Sequence, residues 1–188
     1  MGVFPSLPDQ PELSEVFRAF PGGLEPLLDY HDAILRGASP LSVAERELIA
    51  AYVSGVNQCN FCHGAHRTYA EVHGIDPDVF EQLIADPQAA GVDEKLLPIL
   101  AYVRKLTLTP SQISETDAAP VYAAGWSEQA LFDAISVCAL FNLMNRIVDG
   151  SGVAANPLMR AQSRARAESG RDNRHPYRDF AKVVLGTE

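Results

Sequence analysis

Apolar side chains recur every three or four residues along most of this 188-residue chain, and proline or glycine separates the segments that carry them. This spacing predicts amphipathic helices, whereas no run shows the sustained alternation of a strand. We therefore predict an all-α fold. The helices are expected at about residues 11–20, 24–35, 43–56, 59–73, 77–85, 93–107, 114–124, 128–149 and 157–168.

Two helix starts carry a clear signal. Ser42 and Glu45 form a capping box, and Ser127 precedes the long helix that ends near Gly150. Because that helix is apolar almost all round, we expect it in the core or at a subunit contact. Its second half carries a polar stripe, which we interpret as solvated rather than as a pocket wall: Asn142, Asn145, Arg146 and Asp149.

The length is that of one domain with a sizeable core, so we predict a single domain over residues 1–188. Residues 170–188 lack a clean helical period of apolar side chains, which indicates an extended basic arm. Residues 160–188 hold seven of the fifteen Lys and Arg side chains. We expect this tail to lie on an acidic body, either its own or that of a neighbouring subunit.

Charge and hydropathy exclude several classes of partner. The net charge of −9 repels a phosphate backbone, so we expect no nucleic acid partner. No uninterrupted apolar run approaches the roughly 20 residues of a membrane span, which predicts a soluble protein. The N-terminus has no secretory signal pattern, so we expect a cytoplasmic location, where cysteines are reactive or bind metal.

The chemistry of the chain is concentrated around two cysteines. Cys59 and Cys62 lie three residues apart on a predicted helix, so they share a face and can close a disulfide. His66 follows one turn later on that face. Twelve residues before Cys59 lies Glu47, on the preceding predicted helix. A turn at residues 55–58 would bring Glu47 level with His66 on an adjacent antiparallel helix.

These residue types suit a redox reaction. A carboxylate on one nitrogen of His66 orients the ring, which leaves the other nitrogen to take a proton from Cys62. Cys59 lies in the first helical turn, where unpaired amides favour negative charge. A thiolate that attacks a peroxide becomes a sulfenic acid, and a neighbouring thiol converts it to a disulfide.

Other interpretations use the same cysteines. Zinc would take Cys59, Cys62 and one histidine, which leaves it one ligand short, since Cys138 lies on an apolar face and is expected in the core. Cys59 to His63 also matches the c-type haem attachment pattern, although haem attachment follows export. A redox-sensing or metal-binding module is the alternative to an enzyme.

The pattern Glu47-x11-Cys59-x2-Cys62-x3-His66 in a helical chain resembles the AhpD-like alkylhydroperoxidase family of the carboxymuconolactone decarboxylase superfamily. The similarity covers mainly residues 40–75. The overall length and the Asn-Arg helix near residues 142–149 resemble the branch called peroxidase-related enzymes.

The resemblance implies an all-α fold that assembles as trimers or hexamers and reduces hydroperoxides without a cofactor. It implies that Cys62 is the peroxidatic cysteine, Cys59 the resolving one, and His66 with Glu47 the proton relay. The reductant would be a dithiol, which in the family can be carried by a lipoyl-bearing protein. One family histidine between the cysteines is Phe61 here, and His63 lies on the far side of Cys62. A decarboxylase or lactone-processing activity is the rival on the same fold.

Overall fold

The computed structural model describes residues 2–156 and 158–187, and within these ranges the protein is all-α, with ten α-helices and no strand. A short 3-10 turn at Pro110–Gln112 joins two of the helices. The bounds are α1 Leu13–Ala19, α2 Leu24–Arg36, α3 Val43–Val56, α4 Asn60–Val72, α5 Val79–Gln82, α6 Leu97–Leu108, α7 Glu115–Ala123, α8 Glu128–Gly150, α9 Met159–Ser169 and α10 Pro176–Leu185.

Helix α3 is the centre of the fold. Its start is the predicted capping box, in which the Glu45 amide donates to Ser42 Oγ and the Ser42 amide donates to Glu45 Oε2. Every residue from 46 to 54 is buried, as expected for a helix surrounded by others. α3 packs against α4 and α8, so any polar side chain on it must find a partner inside the protein.

The connection between α3 and α4 is the predicted reversal. Asn57 ends α3, and Gln58 adopts a left-handed backbone conformation with φ of 62°. The Cys59 amide then donates to the Ser54 carbonyl, which fixes the start of α4 beside the end of α3. The two helices therefore run antiparallel in close contact, and residues equally distant from the turn lie side by side.

Helix α8 is the long helix opened by Ser127, whose Oγ accepts from the Ala130 amide. By length and composition it could cross a membrane, and 56% of its most apolar stretch is buried, as in the core helix of a globular protein. Phe132 and Leu143 remain exposed on it, at 63% and 48%. Eleven of the 23 residues of α8 are buried, so one side of the helix lies in the core, and a subunit contact on its exposed side stays a prediction.

The expectation of an extended arm over residues 170–188 is wrong, because residues 176–185 form α10. Its buried side chains, Ala181 and Val184, lie on the apolar face that packs against α2. Asp32 of α2 accepts hydrogen bonds from the backbone amides of Tyr177 and Arg178, at 3.0 and 2.9 Å. A carboxylate thus satisfies the first free amides of α10, as a capping residue does.

Three of the seven basic residues of the C-terminal region pair with carboxylates of the acidic body of their own chain. Arg160 and Arg164 of α9 form ion pairs with Glu71 of α4. Arg178 of α10 pairs with Asp29 of α2 at 2.6 Å. These contacts hold α9 and α10 against α4 and α2, where they complete one wall of the site described next.

Candidate active site

Glu47 lies at the centre of the molecule with 0% of its surface exposed. Its Oε2 atom accepts a hydrogen bond from His66 Nδ1 at 2.6 Å, across the contact between α3 and α4. The spacing on either side of the turn predicted this pairing. Because an ionised carboxylate can only accept, Nδ1 carries the hydrogen and Nε2 of His66 is left for other chemistry.

Arg36, the last residue of α2, is a third member that the sequence did not indicate. Its Nη1 atom lies 2.6 Å from Glu47 Oε1 in an ion pair of which both side chains are buried. Burial alone would raise the pKa of Glu47, but Arg36 and His66 outweigh it and lower the pKa to about 2. A basic residue in the last turn of a helix is common on dipole grounds alone, so nothing in the sequence singled it out.

The two thiols are free and buried, and each affects the ionisation of the other. Cys59 is the N-cap residue of α4, one residue before the first helical turn, where the sequence placed it. Hydrogen bonds from the Cys62 side chain and amide lower the pKa of Cys59, while the same contact with Cys59, together with burial, raises that of Cys62. The first negative charge of the pair is therefore favoured on Cys59.

A second helix also contacts the thiols. On α8 the Asn145 amide interacts with Cys62 and stabilises its charged form, while the Asp149 carboxylate interacts with Cys59 and opposes its ionisation. Asn145 is oriented by two neighbours, since it accepts from Asn57 at 2.9 Å and donates to Ser54 at 3.0 Å. The interpretation of this stripe as solvated is thus wrong for Asn145, which is buried, although Asp149 is exposed.

A cavity of about 210 Å³ lies in front of Cys62. Cys62 and His66 both line it, whereas Cys59 is fully buried behind. Within residues 2–156 and 158–187, no hydrogen bond joins His66 directly to Cys62. The predicted line of four residues is therefore present as two pairs, Glu47 with His66 and Cys59 with Cys62, which meet at the cavity.

Most of the remaining cavity wall is aromatic or aliphatic. The ring of Phe141 stands edge-on to His66 at 4.3 Å, and Tyr69 stacks on His66 at 5.9 Å. Phe61, between the cysteines, also lines the cavity, so the position where the resemblance expects a histidine supplies apolar surface here. The exposed side chain of Arg166 lies at the wall formed by α9.

The other candidate residues lie apart from the reactive pairs. His63 Nδ1 is hydrogen-bonded to the Ala51 carbonyl at 2.9 Å. Cys138 is buried and contacts Thr107, which agrees with its predicted place in the core. Among the described residues, no group of three or more His, Cys, Asp or Glu side chains is arranged to hold a metal ion. Cys59, Cys62 and His66 give the site a dithiol beside a histidine.

Comparison with known proteins gives two kinds of similarity. The Carboxymuconolactone decarboxylase family profile matches residues 21–105, which include Arg36 and the four residues of the motif. Among curated proteins, none matches this chain.

Two solved structures share the fold. One is an uncharacterized peroxidase-related protein from Silicibacter sp. TM1040, with a TM-score of 0.73 and 26% identity over 81% of this chain and 80% of that one. The other is an uncharacterized peroxidase-related protein from Ralstonia eutropha JMP134, described as an alkylhydroperoxidase AhpD core. It has a TM-score of 0.73 and 23% identity over 79% of this chain and 78% of its own. The family profile and the shared fold together support the similarity to the carboxymuconolactone decarboxylase superfamily.

Proposed function

We propose that this protein is a thiol-dependent peroxidase that reduces organic hydroperoxides or hydrogen peroxide through Cys59 and Cys62. The observation that carries the proposal is the cavity, which brings a substrate to one thiol of a vicinal pair beside a histidine oriented by a buried carboxylate. The similarity to peroxidase-related proteins supports the same reaction class.

The first step oxidises Cys62. The dithiol loses one proton to His66 across the cavity, and the other proton is shared by the two sulfurs. When that proton lies on Cys59, Cys62 is the thiolate and attacks the distal oxygen of the hydroperoxide. The O–O bond breaks, an S–O bond forms, and the alkoxide takes the proton from His66 to leave as an alcohol. Cys62 is then a sulfenic acid.

The second step restores a stable state. Cys59 attacks the oxidised sulfur, the S–S bond forms, and the hydroxyl leaves as water with the proton of the Cys59 thiol. An external dithiol then reduces the disulfide and is itself oxidised, and a lipoyl-bearing protein is our proposal for this partner. The favoured charge on Cys59 fits this order, because access to the cavity rather than thiol pKa selects Cys62 as the first nucleophile.

Steady-state peroxide consumption tests the proposal, with dihydrolipoamide or dithiothreitol as reductant. We expect turnover by the wild-type protein and by Cys138→Ser, and none by Cys62→Ser. Mass spectrometry after a brief peroxide treatment should find the loss of two hydrogens in the peptide that holds both Cys59 and Cys62. Turnover no faster than that of the Cys59→Ser, Cys62→Ser double variant with either reductant would refute a peroxidase.

The same double variant separates the rival functions. A decarboxylase or lactone-processing enzyme on this fold has no need of two thiols and would keep its activity without them. A redox sensor would form the disulfide once, without turnover. The peroxidase therefore requires both the disulfide and repeated cycles with a dithiol donor.

We also propose that the protein acts in the cytoplasm in antioxidant defence and assembles as a trimer or hexamer. Phe132 and Leu143, three turns apart on α8, leave an apolar face exposed. Light scattering in dilute buffer should give a multiple of the 20.4 kDa chain mass. A monomer at micromolar concentration would rule the assembly out.

A further inference from the structure

The cavity in front of Cys62 has a second histidine on its wall. His31 of α2 is 98% buried, since its relative exposure is 2%, and it falls on the apolar stripe that holds Leu24, Leu28 and Leu35. Its ring packs against Tyr177 at 5.1 Å and edge-on to Phe141 at 6.3 Å. His31 therefore faces the same space as Cys62 and His66 but takes no part in either pair.

The hydrogen bonds of His31 fix its chemical character. Nδ1 lies 2.8 Å from the Leu27 carbonyl, which can only accept, so Nδ1 carries the hydrogen. Burial lowers the pKa of His31 to about 4, and the ring is neutral at physiological pH. Nε2 is then a lone-pair acceptor, and no donor among the described residues reaches it.

The same wall contains a second polar group that lacks a partner. The hydroxyl of Tyr177 is buried, and it makes no hydrogen bond within the part of the chain that the structure describes. Buried polar groups are nearly always hydrogen-bonded, so the free acceptor of His31 on the cavity wall indicates a ligand that donates to it, whereas the fully buried Tyr177 hydroxyl is out of the ligand's reach. A hydroperoxide group donates through its hydrogen and accepts through either oxygen.

The size of the cavity sets how much of that ligand it can enclose. A volume of about 150 Å³ is enough for benzene. The present cavity, of about 210 Å³, has room for one ring with a short substituent. Its walls include Phe61, Phe141 and Met144, which gain free energy by contact with apolar surface. Hydrogen peroxide offers them none.

We propose that this cavity binds a hydroperoxide whose carbon body is about the size of one aromatic ring, and that Nε2 of His31 accepts the hydrogen bond of its O–O–H group. The inference rests on the proposed peroxidase function and names its substrate class. His31 takes no proton: the hydrogen stays on the distal oxygen, which becomes the hydroxyl of the Cys62 sulfenic acid. His66 supplies the proton that the proximal oxygen needs.

Two substitutions distinguish the roles of the two ring nitrogens of His31. Asn places its amide near Nδ1, so His31→Asn can keep the bond to Leu27 but leaves no acceptor in the cavity. Gln places its amide near Nε2, so His31→Gln keeps the acceptor. Both are made in a Cys59→Ser, Cys138→Ser background, where Cys62 is the one remaining thiol of the three in the sequence.

The first readout needs no turnover. The probe is 2-phenylpropan-2-ol, the alcohol left by cumene hydroperoxide, which should slow the alkylation of Cys62 by N-ethylmaleimide. Its apparent affinity should fall about tenfold in His31→Asn, the value of one hydrogen bond, and stay within about threefold in His31→Gln. Isopropylbenzene, which has no hydroxyl, should bind all three proteins alike.

The second readout is turnover in the protein with all of its cysteines. Ala65 lines the cavity next to His66 in sequence, and Ala65→Leu should fill the space that the ring needs. The ratio of kcat/KM for cumene hydroperoxide to that for hydrogen peroxide should fall at least tenfold. Absence of protection by the alcohol, equal protection in all three proteins, or an unchanged ratio would overturn the proposal. Protection without any turnover of wild type would instead refute the peroxidase and leave the binding site.

Discussion

Glu47 and Glu71 are two buried carboxylates on neighbouring helices, and both are neutralised by arginine. Glu47 contacts one arginine and one histidine, and its side chain is 0% exposed. Glu71 contacts three arginines, Arg67, Arg160 and Arg164, and is 2% exposed. In each case burial would raise the carboxyl pKa, but the cationic partners lower it.

The partners therefore distinguish the two sites more than the burial does. Arginine remains charged at any physiological pH, so the Glu71 cluster can hold α9 in place but cannot move a proton. Histidine can take and give a proton, and His66 opens on a cavity with a thiol. A buried ion pair is a candidate for function where one member can exchange a proton and faces a cavity.

Removal of one arginine from each cluster should give the largest contrast. Arg36→Met leaves Glu47 buried with only His66, which should cost about 3 to 5 kcal/mol of unfolding free energy. Arg160→Met removes an exposed partner and leaves two others on Glu71, so it should cost at most about 1 kcal/mol. Urea unfolding measures both. Equal losses would mean that Glu71 depends on Arg160 as strongly as Glu47 depends on Arg36.

Acid should lower the free energy of unfolding in two stages, and both stages arise from residues of the reactive region. The pKa of His31 is lowered from 6.5 to about 4, so the unfolded chain binds its proton first, and stability is lost as pH falls from 6.5 towards 4. The pKa of Glu47 is lowered from 4.5 to about 2, so its contribution is present above pH 4.5 and is lost as pH falls towards 2. Each stage is worth about 3 kcal/mol.

Unfolding free energy measured against pH checks these signs. His31→Gln should flatten the upper stage, and Glu47→Gln should flatten the lower one. His66 and Glu47 are the ionisable side chains that interact with His31, and a curve that keeps its upper stage in His31→Gln would show that burial of His31 does not cause that stage. Glu71→Gln should leave the upper stage in place.

A smaller effect is expected on the thiol itself. Glu47→Gln removes the carboxylate behind His66, so the imidazole becomes a weaker base and the Cys62 thiolate is less favoured. The pKa of Cys62 should rise by about one unit, or about 1.4 kcal/mol, and His66→Ala should do at least as much. Their double variant should add little, since both act on one thiol.

The measurement is the pH dependence of Cys62 alkylation in the Cys59→Ser, Cys138→Ser background. Glu71→Gln is the matched control and should leave the profile in place. A shift in Glu71→Gln as large as in Glu47→Gln would show that any buried carboxylate on these helices acts on the thiol. No shift in Glu47→Gln alongside a shift in His66→Ala would end the relay at the histidine.

Asp149 is a third carboxylate, exposed and with no arginine ion pair among the described residues, and it should have the smallest effect. Its interaction with Cys59 favours the protonated thiol, and its carboxylate can pass that proton to the leaving hydroxyl when the disulfide closes. Asp149→Asn should slow closure about threefold, with Asp149→Glu close to wild type. One thiol displaces thiopyridone from 4,4′-dithiodipyridine, and the second thiol displaces another as the disulfide closes, so the second phase of thiopyridone release measures closure. Glu128→Gln, on an exposed part of α8, is the control. An unchanged second phase would leave Asp149 without a role.

The Glu47–His66 pairing could be predicted because it depends only on two helices joined by a short turn. Arg36 and His31 could not be placed, since α2 reaches the site through tertiary packing that spacing along the chain does not encode. His31 did carry one signal, its position on the apolar stripe of α2. In α10 the spacing of Tyr177, Phe180, Ala181 and Val184 is helical, but ten residues are shorter than the window in which periodicity is reliable.

The dependence of the cavity wall on α9 and α10 has a consequence for the newly made protein. The ribosome completes α2, α3, α4 and α8, which carry both thiols and their partners, before it makes residues 159–185. Until Asp32 captures the amides of Tyr177 and Arg178, Cys62 lacks the wall that shields it. Synthesis of residues 159–185 thus marks the point after which only molecules that fit the cavity reach the thiol.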